Sequence, residues 1–392
     1  MTGQDELTRP IAIDWEPSQA HGWGQVGLHI CLELLRRGEM PLLPRGADVG
    51  SMRPEVRQRL EPLLVGRAAQ ATSHDGALPP GCVILTPFGN GLGPIEPYHD
   101  APGTLRVGIG AFEETRFTND ARTHAARFAR LIVHSRWGYQ VLAAAGIPGA
   151  IVALQGIDPE EIYPLPRTGR FPGRFVVFSG GKLEFRKGQD IVLAAFRRFL
   201  ARYPEALLVA TWHSPRPQAA ETFAMSSLVP GAPELDAAGR MDLTAWAAAN
   251  GVPRHSFFDT GFLTRDLLPH VFAECDLAVF PNRCEGATNL VAMEAMAAGV
   301  PVVLSANTGH LDLIRPGICH TLDTQRPVRG PRGGRSGWGE SSVDELLARM
   351  ETVRAMPVAA RQTADYAMHF IRTERTWSRF AAQVVDEIRA IG

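Results

Sequence analysis

The stretch PNRCEGATNLVAMEAMAAGVPVVLSANTGH, Pro281 to His310, holds one charged residue between Ala287 and Asn307, and that residue is Glu294. Its neighbours Leu290, Val291, Ala292, Met293, Ala295, Met296, Ala297 and Ala298 describe a helix apolar on every face, which is the pattern of a buried helix. A solvated stripe would carry further charges. A carboxylate in such a helix is costly without hydrogen-bond partners, so Glu294 is expected to face a cleft that holds a polar ligand. LAVFPN before the helix and PVVLSAN after it read as buried strands, giving a strand, helix, strand unit of a parallel sheet.

Working outward, the same alternation recurs on both sides. RFVVFSGG, the helix GQDIVLAAFRRFLARY, ALLVATWHS, LTAWAAAN, SFFDTGF and DLLPHVFAEC extend it towards the N-terminus. Beyond Tyr163 to Arg174, a run of proline, glycine and arginine that reads as an interdomain linker, a second series appears. It comprises PIAIDWEP, the loop SQAHGWGQVG, the helix LHICLELLRRG, a strand MPLLP, CVILTPFGN, TLRVGIGAFEET, LIVHS and IVALQGID. Two α/β halves joined by a linker form a cleft, and ligands of such sheets sit at the carboxyl ends of the strands. Asn90, Glu113, Glu114 and His134 fall at or near such ends, where a capping role and a chemical one are equally expected.

Composition sets the class. The chain has 392 residues, 45% hydrophobic and 21% charged, which suits a soluble protein of about two domains. A net charge of -1 offers no general attraction for nucleic acid or an anionic membrane. Cys31, Cys82, Cys275, Cys284 and Cys319 show no metal-ligand spacing and read as small buried hydrophobes of a reducing compartment. MTGQDELTRP lacks the pattern of a signal peptide, so a cytoplasmic protein is expected.

Of forty basic residues only two are lysines, Lys182 and Lys187, both in GGKLEFRKG. A compact ammonium used only there suggests a phosphate contact. Gly22, Gly24 and Gly27 match the GxGxxG spacing, and their amides would approach an anion at a helix N-terminus. A dinucleotide site would also need an acid at the end of the next strand, and MPLLP ends in Arg45. QRPVRGPRGGRSGWG, Gln325 to Gly339, carries four arginines and five glycines and reads as a mobile loop, with a lid over an anionic ligand, anchored by Trp338, as the sharper alternative. Ser342 and Glu345 form a capping-box pattern. Ala359 to Ile391 reads as one long helical stretch.

Together these motifs resemble the retaining glycosyltransferases of family 4. GGKLEFRKG, TGFLTRDLLPHVFAECDLAVFPN and EGATNLVAMEAMAAGVPVV are similar to the family's phosphate loop, base-binding strand and two-glutamate motif, and QGIDPEEIYP to the segment before its linker. The resemblance implies an α/β, GT-B fold of two Rossmann-like domains with parallel sheets facing a central cleft. The N-terminal acceptor-side domain is expected over 1–164, the nucleotide-sugar domain over 165–370, and a C-terminal helix, 371–392, returning to the first. Implied too is transfer of a sugar from a nucleotide-sugar donor, UDP- or GDP-linked, to a glycan, lipid-linked or small-molecule hydroxyl. No cofactor or metal is implied, and no DxD occurs. A lipid-linked acceptor would bring the protein to the inner face of a membrane.

The residue roles follow from that resemblance. Glu294 accepts from the ribose hydroxyls, and Thr288, Asn289 and Leu290 offer a helix N-terminus to phosphate and sugar. Lys182 and Lys187 neutralise the departing diphosphate, Gly22, Gly24 and Gly27 close over it, and Leu263 lines the base slot. Glu285 is expected on the donor sugar, with Glu113 and Glu114 on the acceptor. Lys182 stands where the family has arginine. Eight residues separate Glu285 from Glu294, one more than the family spacing. Either the extra residue bulges the loop and Glu285 still reaches the sugar, or Asn289 or Thr288 takes its work. The alternatives are a sugar-nucleotide epimerase or hydrolase of the same fold, and a dinucleotide-dependent oxidoreductase using the Gly22 to Gly27 loop.

Overall fold

The apolar runs assemble into two all-parallel sheets, each in its own unit: residues 1–156 with 377–392, and residues 157–376. The computed structural model describes residues 9–70, 78–95, 97–237, 239–328 and 334–391. In the first unit β1 (Ile11–Ile13), β2 (Val83–Phe88), β3 (Leu105–Gly110), β4 (Arg130–Val133) and β5 (Ala150–Val152) lie in that order. They are accompanied by α1 (Gly22–Arg36), α2 (Pro54–Gln70), α3 (Asn119–Ala125) and α4 (Arg136–Ala144). The expected strand MPLLP is reduced to one bridge, Leu42 against Ala12 of β1. Pro41 and Pro44 on either side of it have no N–H to donate, so the ladder cannot extend.

The second unit holds β6 (Phe175–Gly180), β7 (Ala206–Thr211), β8 (Phe257–Asp259), β9 (Leu277–Phe280), β10 (Val302–Ser305) and β11 (His320–Leu322), in the spatial order β11-β10-β9-β6-β7-β8. From β6 the chain steps outward through β7 to β8 and then returns to β9 on the other side. The switch point between β6 and β9 therefore opens at their carboxyl ends, where doubly wound sheets bind ligands. The Arg/Gly segment begins and ends as an antiparallel hairpin of β12 (Gln325–Pro327) and β13 (Gly339–Ser341), and residues 329–333 lie outside the described residues.

Helices α5 (Gln189–Arg202), α6 (Leu243–Ala249), α7 (Leu268–Ala273), α8 (Leu290–Ala297), α9 (Val343–Ala355) and α10 (Pro357–Glu374) cover the second sheet. Helix α8, read from the sequence as apolar all round, has Ala292 to Ala297 fully buried among β-strand side chains. The capping box at Ser342 is half formed. Its hydroxyl accepts from Glu345 N at 3.3 Å, while the Glu345 carboxylate turns to the N–H groups of Asp323 and Thr324. The stretch expected to be a linker is bound into this unit: Glu274 accepts from the N–H groups of Thr168 and Arg170 and from the Thr168 hydroxyl.

The final helical stretch is two helices. Arg375 leaves the helical conformation at φ -119° and ψ 61°, and its carbonyl accepts from Ile157 N at 2.8 Å. Helix α11 (Trp377–Arg389) then belongs to the first unit, where its Trp377 ring stacks on His29 of α1 at 5.2 Å and Phe380, Val384 and Ile388 are buried. Among the described residues no helix is long and apolar enough to cross a membrane.

Candidate functional site

The loops that follow β6 and β9 meet at the switch point. Gly188 ends the first in the left-handed region, φ 74°, and a Cβ there would stand 2.2 Å from Pro281 O, so only glycine lets the loops touch. Arg283 N and Cys284 N both donate to Arg186 O, at 2.6 and 3.3 Å. The Arg283 guanidinium is fully buried and forks onto Asp190 with two 2.8 Å bonds, reaches Glu340 of β13 at 2.9 Å from Nε, and stacks 3.8 Å from the Phe185 ring. One side chain thus ties the β9 loop to the lysine loop, to α5 and to the hairpin. Sequence reading passed over it, although an arginine inside the otherwise apolar LAVFPNRC was a visible signal.

Both lysines are engaged in ion pairs. Lys187 Nζ stands 2.5 Å from Glu285 Oε1 and Lys182 Nζ 3.0 Å from Glu184 Oε2. Arg186 bridges the two carboxylates, 3.1 Å from Glu184 and 3.4 Å from Glu285, and Asn282 also donates to Glu285. Burial pushes the Glu285 carboxyl up, but Lys187 and Arg186 beside it outweigh that and hold it down to about 2. Burial draws Lys187 below the usual lysine value. Among these five side chains, three cations face two carboxylates.

The eight residues between Glu285 and Glu294 lead into α8 through a left-handed turn. Asn289 takes φ 66°, its Oδ1 caps Ala292 N at 3.3 Å, and its Nδ2 meets His310 Nε2 at 2.9 Å. Thr308 Oγ1 accepts from Glu285 N at 2.8 Å and Gly309 N donates to Glu285 O at 2.9 Å. A Cβ on Gly309 would lie 1.6 Å from Ala287 O, so only glycine fits beneath this loop. Leu290 opens α8, whose first N–H groups have no carbonyl one turn earlier. Thr288 Oγ1 is buried with no hydrogen-bond partner.

His310 is buried and held down to about 4, which keeps it neutral, with Nε2 accepting from the Asn289 amide and Nδ1 facing Ser305. Unfolding restores its ordinary value of 6.5 and that of Glu285 to 4.5. Between pH 6.5 and about 4 the unfolded histidine takes up a proton that the folded one refuses, and between 4.5 and about 2 the unfolded glutamate does the same. The contribution of these two groups, joined by that of His134, which is also held down to about 4, is therefore level above pH 6.5 and falls as pH drops. Urea midpoints at neutral and acid pH check this, and His310→Asn should flatten the first part of the decline.

Glu294 is buried as expected, but its partner is protein. Arg265 Nη1 lies 2.8 Å from Glu294 Oε1, while Nε and Nη2 of the same guanidinium both reach Glu161 Oε2 at 3.0 Å. The requirement for a counter-group is thus met by Arg265, and a ligand is not needed to explain the burial. Burial holds the Glu294 carboxyl above its usual range despite Arg265. Leu263, two residues before, packs partly buried against the apolar cluster beneath α8.

In the first unit Gly22, Gly24 and Gly27 lie inside α1, not in a loop before it. Gly24 and Gly27 are packing positions, since a Cβ would come within 2.5 Å of Ser18 and 2.8 Å of Trp15. The His21 ring caps Gly24 N at 3.0 Å. Glu113 and Glu114 follow β3, with the half-buried and exposed side chains of a loop whose two N–H groups are both held by Asn90 Oδ1. His134 is buried and pushed down to about 4 by burial. Arg45, at the place of a dinucleotide-binding acid, pairs with Asp14 at 3.1 Å.

Residues 166–324 match the model of glycosyl transferases group 1. No curated protein sequence matches the chain. Among solved structures it is similar to sucrose-phosphate synthase from Thermosynechococcus elongatus, with a TM-score of 0.66 at 15% identity over 98% of this chain and 99% of that one. It is also similar to Anabaena HepE in complex with UDP and glucose, with a TM-score of 0.64 at 15% identity over 97% and 99%. A third is α,α-trehalose 6-phosphate synthase from Burkholderia multivorans, with a TM-score of 0.58 at 13% identity over 98% and 99%. At such identities the likeness is one of fold: two parallel-sheet α/β domains of the GT-B type.

Proposed function

We infer that this chain, a glycosyltransferase by its group 1 match and its GT-B fold, moves a sugar from a nucleotide donor to an acceptor hydroxyl with retention of configuration. The observation that carries the donor-site reading is a division of charge at the carboxyl ends of the second sheet. On one side Lys182, Arg186 and Lys187 outnumber Glu184 and Glu285, which suits a diphosphate. On the other, Glu161 and Glu294 outnumber Arg265, which suits neutral hydroxyl donors and repels phosphate. A nucleotide lying with its ribose on Glu294 and its diphosphate on the lysine loop satisfies both. The N–H groups of Leu290 and Val291, ahead of the Ala292 N that Asn289 caps, and the unpaired Thr288 hydroxyl then add donors to the phosphate and sugar.

In the transfer, the bond from the anomeric carbon to the diphosphate oxygen breaks as the acceptor oxygen bonds to that carbon on the same face. The acceptor proton passes to the leaving oxygen. Lys187, with Lys182 and Arg186 behind it, stabilises the charge gathering on the diphosphate, the task a metal ion performs in other transferases. Glu285, ionised and bound to Lys187, holds that ammonium in place and leaves the sugar to Thr288, with Asn289 fixing the loop through Ala292 N and His310. Leu263 lines the base slot, and Glu113 and Glu114 are read as contacts to the acceptor, a glycan, a small molecule or a lipid-linked sugar at the membrane face. The UDP bound by the similar HepE structure supports a nucleotide-sugar donor, which we read as UDP- or GDP-linked.

The test is a thermal-shift panel of UDP, GDP, ADP, dTDP and NADH. Ligand at about a hundred times its dissociation constant adds roughly 2.7 kcal/mol. A shift with one nucleoside diphosphate and none with NADH is expected, and a shift with NADH alone would overturn the reading.

A further inference from the structure

Glu161, Arg265 and Glu294 are far apart in sequence and meet only in the fold. Glu161 belongs to the turn that opens the second unit, Arg265 to the single turn Arg265–Leu267 after β8, and Glu294 to α8. Glu161 and Glu294 are 3% and 2% exposed. Arg265 commits Nε and Nη2 to Glu161 and Nη1 to Glu294 Oε1, so its fork is oriented by Glu161 before it reaches α8. The sequence singled out only Glu294 of the three.

We propose that Arg265 is a positioning residue for the donor: clamped by Glu161, it fixes the Glu294 carboxylate as an ionised acceptor for the ribose diol. This rests on the reading of Glu294 as the ribose acceptor. The physical reason is the apolar setting of α8. A carboxylate among Ala292, Met293, Ala295 and Met296 is driven towards its protonated form, which exchanges acceptor capacity for an O–H donor. The charged groups facing it are Arg265, which favours the ionised form, and Glu161, which opposes it. Glu161 also keeps the guanidinium from forking wholly onto Glu294, leaving the carboxylate able to receive hydroxyls. Arg265 is given no donor contact in this scheme: its fork is turned to Glu161 and Glu294, which take a bond from each of its three nitrogens.

The experiment is calorimetric titration of UDP-glucose and GDP-mannose, neither of which has a terminal phosphate titrating near neutrality, from about pH 5 to about pH 9. The proteins are the wild type and the variants Arg265→Met, Glu161→Gln and Glu294→Gln. Affinity rises with pH as Glu294 ionises. Arg265→Met is expected to weaken binding roughly tenfold near neutral pH and to move that rise to higher pH, and Glu161→Gln to move it to lower pH. Opposite displacements of one titration are not produced by general loosening of the fold. Arg265→Met and Glu161→Gln profiles that superimpose on the wild type overturn the inference, provided Glu294→Gln weakens binding. A Glu294→Gln variant that binds as the wild type does, or a wild type that binds neither probe, overturns the ribose reading itself.

Discussion

Lys187→Ala is expected to lower kcat/KM for the sugar nucleotide by about a hundredfold to a thousandfold, the usual effect of removing one preorganised donor from a developing oxyanion. The same change takes the nearest counter-charge from Glu285, which is 4% exposed, has Lys187 at 2.5 Å and keeps only the more distant Arg186 at 3.4 Å. Breaking a buried pair by removing one partner costs about 3–5 kcal/mol, so the variant is also less stable. The two effects separate in the double variant Lys187→Met, Glu285→Gln. With no charge left unpaired, the urea midpoint should recover most of its loss while kcat/KM stays low. Recovery of both would make Lys187 a structural cation and remove it from the chemistry.

The largest effect on stability belongs to Arg283. Its guanidinium and the Asp190 carboxylate are each 0% exposed, and Glu340 and the Phe185 ring complete its surroundings. Arg283→Met leaves Asp190 buried without its counter-charge at the start of α5, a loss of about 3–5 kcal/mol. It also removes the side-chain tie between the lysine loop and the β9 loop and leaves only the backbone bonds to Arg186 O, so donor affinity should fall with stability. Arg198→Met, which breaks the exposed pair with Asp344, is the control and should cost under about 1 kcal/mol. An Arg283→Met protein with a wild-type urea midpoint would contradict the keystone role.

The contrast between these arginines explains what the sequence could disclose. Apolar periodicity and glycine punctuation were enough for both parallel sheets, because a buried parallel strand writes itself as a short unbroken apolar run. The burial of Glu294 was legible for the same reason. Its partner was not, since Arg265 lies in a polar turn 29 positions away and looks like any surface arginine. Local signals misled where tertiary contacts decide. Gly24 and Gly27 matched a nucleotide loop by spacing, yet they sit within α1 against Ser18 and Trp15. Ala359 to Ile391 kept a helical pattern through Arg375, whose break follows from the Ile157 hydrogen bond and not from its own propensity. The longer spacing from Glu285 to Glu294 was visible. That Gly309 would fit beneath Ala287 was not.

The most direct measurement is a crystal structure of the protein with UDP or GDP bound. The account predicts the ribose hydroxyls on the Glu294 carboxylate, with Arg265 still held by Glu161, and the terminal phosphate between Lys187 Nζ and the first N–H groups of α8. A nucleotide whose ribose lies away from Glu294, or whose phosphates avoid the lysine loop, would contradict it.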